Sequence, residues 1–367
     1  MLMYIVIYVL ILNIWLLAYN YKPSKELNIF IKVIVFTLLL IFIGLRHEVG
    51  GDWTSYLFWY RMVESGKLRI SFESFITRDI GYDITNLISS KLNFGIYGVN
   101  TLCGAIFLFG LFYFLSRALP EKEFWTGLIL AYPYLIVVVA NGYTRQSVAI
   151  GLIMIAYIKF LHGKQLASLF YILGAFVFHK TAVFAITPML FCKPSKRFLR
   201  LVLVIFLVNL IAIRNVVLTK FSTFYSFYIH EKMVSEGGPI RAIMNLLPAL
   251  IYLTFFKQLR RKFSDSGFWV VVSVLTVILS VSSLSKLTAA DRLLLYLSSI
   301  QLVTYPRLIY VKLLPSNDRP VKSMLVILVL TIYTLSLIVW LFLGKHAGSW
   351  IPYKNLLFSM TSIIYTH

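Results

Sequence analysis

An all-α, polytopic integral membrane protein is the fold class this sequence predicts, and three observations carry the prediction. Of 367 residues, 59% are hydrophobic and 13% charged, about half the roughly one-quarter charge of a soluble domain. Mean hydropathy is +0.83, and the apolar residues lie in long runs separated by short basic linkers. Backbone groups in lipid must pair within their own segment, so runs of this length are helices. The whole chain, 1–367, reads as a single membrane domain.

The first run, "MLMYIVIYVLILNIWLLAYN", has no basic leading region and no small-residue cleavage site. It reads as a retained first helix. Further spans are expected near 28–45, 96–116, 124–140, 145–161, 201–213, 242–256, 268–284, 293–306 and 323–343, with an unusually long run at 166–192. Cys103 and Cys192 each sit inside an apolar run, where they read as free thiols with no disulfide or metal framework. The net charge of +21 is what cytoplasmic loops rich in Lys and Arg produce. No basic-aromatic module points to nucleic acid.

The run 166–192 decides the topology. Its 27 residues make about 40 Å of helix, long for one span and short for two. As one helix it would put "KPSKRFLR" and the later basic linkers outside. As two half-helices broken at His179-Lys180, it puts every basic linker inside, as the positive-inside rule prefers. Broken helices at membrane depth line cavities. The expectation is therefore about twelve membrane segments with both termini outside, 18 Lys and Arg in inner linkers and 16 on the outer side. Two outer loops follow, 46–95 with amphipathic helices and 214–241.

That topology gathers "GLRHEVGGDWTSYLFWYRM", "NGYTRQSVAIG", "FHKTA" and "KLTAADRLLLY" on one face, with "GGPIRAIMN" a weaker fifth. Arginine holds phosphate bidentately and keeps its charge on burial. Arg46, Arg145 and Arg292, with Arg241 in reserve, therefore suggest an anionic headgroup, and the surrounding apolar helices suggest that a lipid carries it. Helix N-termini at Arg145 and Arg292 would add N–H groups. Plainer readings stand beside these: Arg46 snorkelling, Asp52 capping the next helix, and positions 53, 56, 57, 60 and 63 marking a helix flat on the bilayer. Arg145 and Gln146 pairing with a carboxylate, His179 as a structural histidine and Lys180 snorkelling complete the set.

The residues that carry a resemblance are the R-x-x-x-G-x-D-x-x-x-Y pattern of Arg46, Gly50, Asp52 and Tyr56, "DIGY" at 79–82, "YTRQSVAIG" at 143–151, "FHKTA" at 178–182, the Arg292 helix, and "IPYK" at 351–354. In their order and spacing they resemble the EpsG family of Wzy-type polysaccharide polymerases. Gly51 departs from the Thr usual there. Arg78-Asp79-Ile80-Gly81 departs from an acidic E-P-G-Y pattern, so no role is carried onto Asp79. The resemblance implies a GT-C-like glycosyltransferase of a bacterial inner membrane, its active site facing the periplasm. It would join O-antigen, capsule or exopolysaccharide repeat units carried on undecaprenyl diphosphate, and release undecaprenyl diphosphate. A chain-length regulator and a flippase are the implied partners, beside the membrane lipid.

The donor carries its own leaving group, so no cofactor is expected. The site must stabilise the departing diphosphate and take a proton from the acceptor hydroxyl. Arg46, Arg145, Arg292 and Arg241 suit the first task. His179 suits the second, with Asp52 orienting it, binding sugar hydroxyls or acting as the base itself. Tyr56, Gln146, Lys180 and Asp291 are weaker substrate-binding candidates. Gly50-Gly51 argues against Glu48 and Asp52 sharing a helical metal site, so the expected mechanism is metal-independent. The alternative is a lipid-linked oligosaccharide flippase or other transporter, which needs polar groups reachable from both faces and often repeats its halves. A membrane acyltransferase is the third reading, and it leaves the arginines unexplained.

Overall fold

The computed structural model describes residues 1–21, 23–67, 78–205, 207, 238–284, 288–311 and 319–358. Among them every regular element is helical, and the protein is a multi-pass membrane protein. Among the described residues seven helices are long and apolar enough to cross a bilayer: α1 (Leu2–Tyr21), α2 (Lys25–Gly44), then, after the short α3 (Trp53–Glu64) and α4 (Ile80–Lys91), α5 (Gly95–Ala118), α6 (Glu121–Ala140) and α7 (Thr144–Leu161). The other two are α13 (Ser266–Leu284) and the span Met324–Leu343 within α16 (Arg319–Leu343).

Shorter elements fill the remainder: α8 (Gln165–Phe178), α9 (Lys180–Leu190), α10 (196–205), α11 (Gly238–Thr254), α12 (Phe256–Arg260), α14 (Thr288–Leu294) and α15 (Ser299–Tyr310). Seven is fewer than the twelve segments expected, and the reason is length. The 14 residues of α8 rise about 21 Å, short of the roughly 30 Å of hydrocarbon. Of the span expected at 201–213, 201–205 and 207 are described and the rest lies outside the described residues, as do 214–237 of the loop at 214–241.

The chain breaks at His179, which takes an extended conformation (φ −155°, ψ 113°). The two half-helices on either side fold back on each other, since the Ser168 hydroxyl donates to the Met189 sulfur at 3.3 Å. The Ser195 backbone N–H then donates to Gln165 at the foot of α8.

Side-chain contacts sort the helix ends into two sets. The start of α1 meets the segment after α16, where the Tyr4 hydroxyl donates to the Trp350 carbonyl at 2.8 Å. The other end of α1 meets the start of α6, where Trp15 donates to Thr126 at 3.0 Å. Asn28, Glu121, Gln165, Asp265 and Arg307 all lie at that second end, among the basic linkers. Arg46, His179, Arg241 and Trp350 lie at the first.

Helix α6 is buried along its length and forms the axis of the bundle. The exposed leucines, valines and phenylalanines of α1, α2 and α16, such as Leu17, Phe30, Val33 and Phe342, are the face that lipid covers. At its site end α6 widens over Tyr132–Ala140 into π-type winding, which changes which backbone carbonyls find partners within the helix. Asn141 and Trp350 side chains take up the carbonyls of Ile136 and Val137.

Candidate functional site

The site is built on the loop that follows α2. Gly50 has φ +106°, and a Cβ there would lie 2.2 Å from the Asn141 carbonyl oxygen. Only glycine fits that close left-handed approach. The segment after α16 straps the loop in place: backbone N–H groups of His47 and Gly50 donate to Lys354 and Ser349 carbonyls, and that of Leu356 to Leu45. Trp350, 2% exposed, packs over Gly142 and donates its indole N–H to Val137 at 3.0 Å.

Arg46 is the keystone of this loop and not part of its open face. It is 1% exposed and donates to the Ile43 carbonyl at 2.7 Å, Asn100 at 2.9 Å and Thr144 at 2.7 Å. A guanidinium so engaged ties the ends of α2, α5 and α7 together and has only Nε without an acceptor. That placement does not fit the expected diphosphate ligand, nor does it snorkel.

Asp52 stands at the first turn of α3, yet its side chain makes no capping bond. Burial raises its carboxyl above the usual range, while Arg145 and Arg292 pull the other way. It is thus a half-buried carboxylate facing two guanidinium groups, without a side-chain hydrogen bond among the described residues. Tyr56, one turn further on, is buried against Tyr82, ring centroids 5.3 Å apart.

His179, at the tip between α8 and α9 and outside the seven spans, sits in a closed hydrogen-bond triangle. Its Nδ1 is 2.9 Å from the Thr181 hydroxyl and 2.9 Å from the Tyr296 hydroxyl, and the two hydroxyls are 2.8 Å apart. Burial first, then Arg145 and Arg292, push the imidazole down to about 4. The ring is therefore neutral at physiological pH. In the tautomer whose Nδ1–H donates to one of these hydroxyls, Nε2 keeps a lone pair. Lys180 lies over the Phe176 ring at 4.5 Å and its backbone N–H donates to Asp79.

Arg145, on the first turn of α7, pairs with Asp79 at 2.9 Å and keeps 37% side-chain exposure. It also covers the Tyr56 ring at 5.7 Å and the Tyr82 ring at 6.0 Å. A cavity of about 180 Å³ opens here, lined by Trp59, Arg78, Asp79, Tyr82, Asp83 and Arg145. Across it Arg78 faces Asp83 at 3.4 Å. Helix α4 reaches this position because Gly81 lies against Phe178, the last residue of α8, with no room for a Cβ between them.

The second cationic group comes from α11 and α14. Arg241 grips Asp291 with both prongs, Nε to Oδ1 at 2.8 Å and the second at 2.5 Å. Arg292, next in sequence, is exposed, and its carbonyl accepts from Gln146 at 3.3 Å. It is the fifth residue of a seven-residue helix, so the expected helix N-terminus at Arg292 is absent. Tyr143 lies within electrostatic reach of Asp52, Asp291, Arg241 and Arg292, which places these four near one another.

The structure thus brings Asp52, Arg145, His179 and Arg292 together, with Gln146, Lys180 and the Arg241–Asp291 pair at the margin. Reading the sequence missed Tyr296, Thr181, Trp59, Arg78, Asp83 and Trp350. Asp79 was seen and given no role. A hint existed for some: Asp83 closes a D-x-x-x-D spacing after Arg78, and Trp350 directly precedes "IPYK". Among the described residues no three His, Cys, Asp or Glu side chains converge as a metal-binding group.

The EpsG family model matches residues 29–355 of this chain. Neither a curated protein nor a solved structure matches it. The matched span runs from α2 through the strap after α16, so it contains every side chain of the site described above.

Proposed function

From the premise that the chain belongs to the EpsG family, we propose that it polymerises lipid-linked saccharide units at the end of the bundle that carries Asp52 and His179. Family membership points to a membrane glycosyltransferase of polysaccharide assembly. The finer reading is an O-antigen, capsule or exopolysaccharide polymerase that uses undecaprenyl-diphosphate-linked repeat units in a bacterial inner membrane. Its site faces the periplasm, because the basic linkers gather at the opposite end and basic linkers stay cytoplasmic.

The single observation that carries the reading is the gathering of an underused carboxylate, a neutral imidazole and two accessible guanidinium groups at one bundle end. In the reaction, the acceptor hydroxyl oxygen attacks the anomeric carbon of the donor sugar. The bond from that carbon to the diphosphate oxygen breaks, and its electron pair leaves on undecaprenyl diphosphate. Arg292 meets the charge that develops there, and Arg145, held by Asp79, adds its field from the cavity wall. The hydroxyl proton passes to Nε2 of His179 or to Asp52. Arg46 and the Arg241–Asp291 pair hold the walls in shape.

No metal or cofactor enters this scheme. Twelve segments in a GT-C-like arrangement remain part of the proposal. They comprise the seven long helices, the half-helices α8 and α9, α11, α15 and the span expected at 201–213. A chain-length regulator and a flippase would work beside it.

The test is a gel of surface polysaccharide from the host lacking the gene, with and without its restoration. Loss of the long ladder, with single repeat units still reaching the surface, supports a polymerase. Loss of all surface units, with lipid-linked units trapped inside, supports the flippase instead.

A further inference from the structure

The cavity beside Arg145 differs in chemistry from the exposed surface at Arg292. Its two guanidinium groups, Arg78 and Arg145, are matched by two carboxylates, Asp83 and Asp79. The lining is therefore charge-balanced and offers a diphosphate no net attraction. It does offer planar donors and acceptors fixed in place by their pairing, which suit vicinal hydroxyls that both donate and accept. Half-buried Trp59 and buried Tyr82 add aromatic surface, which packs on the apolar C–H face of a ring while the polar groups read its edge. At about 180 Å³ the cavity is smaller than the roughly 300 Å³ at which sites for drug-sized ligands begin. It holds one sugar ring, not an oligosaccharide.

We propose that this cavity is a subsite for a single uncharged pyranose, the terminal sugar of the acceptor, and that Trp59 and Asp83 help set which sugar is accepted. This rests on the polymerase reading above for the word acceptor, though not for the binding itself. The placement suits that role. Arg145 lines the cavity and also acts electrostatically on Asp52 and His179, so a ring seated there brings a hydroxyl toward the proton-accepting groups. Growth of the polymer then depends on two chemically distinct neighbours, a neutral pocket for the ring and the exposed Arg292 guanidinium for the diphosphate.

The experiment uses the full chain in detergent, titrated with methyl glycosides of glucose, galactose, N-acetylglucosamine and rhamnose, with saturation-transfer NMR as the readout. At least one glycoside is expected to bind, about tenfold more weakly to Trp59→Ala, with the loss largely restored in Trp59→Phe. Inorganic pyrophosphate is expected not to displace it. Asp83→Asn provides an independent loss of binding, and a thermal melt of each variant separates lost binding from lost folding. The proposal is overturned if no glycoside binds, if folded Trp59→Ala and Asp83→Asn bind like the wild type, or if pyrophosphate competes. Trp59-dependent binding in a protein that makes no ladder would keep the subsite and remove the polymerase reading. A ladder with no such binding would do the reverse.

Discussion

Two buried arginine systems, one at each end of the bundle, show what separates structure from chemistry in this protein. At the basic-linker end Arg307 is 2% exposed. It grips Asp265 at 2.7 Å with two nitrogens and donates twice more to the Ala118 carbonyl, with the Phe263 ring 4.3 Å away. At the site end Arg46 is similarly enclosed, but its neighbours are not. Among the described residues Asp52 has no side-chain hydrogen bond and Arg145 an unpartnered Nε, and Arg292 is exposed. A satisfied guanidinium holds helices together. A buried polar atom left short of partners, such as Arg145 Nε, is costly unless a ligand completes it, while exposed Arg292 is free to meet one.

The sharpest way to break this contrast is to remove the proton acceptors. His179→Ala and Asp52→Asn are each expected to cut polymer formation by about a hundredfold or more, with protein accumulation unchanged on a blot. Normal polymer from either would remove that residue from the mechanism. At the opposite end Arg307→Met is expected to act on folding. It leaves part-buried Asp265 with only the Trp269 indole N–H as donor, a loss below the roughly 3–5 kcal/mol of a fully buried pair, so the thermal transition and accumulation fall while polymer made per folded molecule holds. Loss of activity at full stability would mean that this end also does chemistry.

A smaller effect is expected from Arg292→Lys, since a point charge does not replace a fork on a diphosphate. A roughly tenfold fall in rate at normal accumulation is the expected outcome, and full activity would leave Arg292 a structural role. The smallest effect is on titration. Positive neighbours disfavour imidazolium, so the His179 ring should stay neutral by NMR from pH 7 down to 5.5, and Arg292→Gln should move its pKa upward. A wild-type midpoint near 6.5 would show that burial and the two arginines do not act on the ring as described.

Much of this arrangement was legible in the sequence. The break at His179 follows from a run too long for one span and too short for two, and from where the basic linkers had to go. Asp52, Arg145 and Arg292 stood out because charged side chains beside long apolar runs are rare. What the sequence withheld was pairing. Nothing in the local pattern tells Arg46, locked by Asn100 and Thr144, from Arg145, paired with Asp79 yet still open to a ligand. Nor does it show that Arg241 is taken by Asp291, fifty residues away in the chain. Tyr296 reads as one more core aromatic until the fold sets its hydroxyl against His179. The count of membrane segments was less legible, because α8 and α9 have the apolarity of spans without the length.

In the proposed reaction the charges gathered at the Asp52–His179 end break a sugar–diphosphate bond. Purified protein in lipid nanodiscs, supplied with undecaprenyl-diphosphate-linked repeat units, tests it directly by the release of undecaprenyl diphosphate. One undecaprenyl diphosphate is expected to be released for each new linkage in the wild type, and none above background in Asp52→Asn or His179→Ala. Absence of release by the wild type, with the same protein in sealed vesicles carrying intact lipid-linked units across the bilayer, would contradict it and make the protein a transporter.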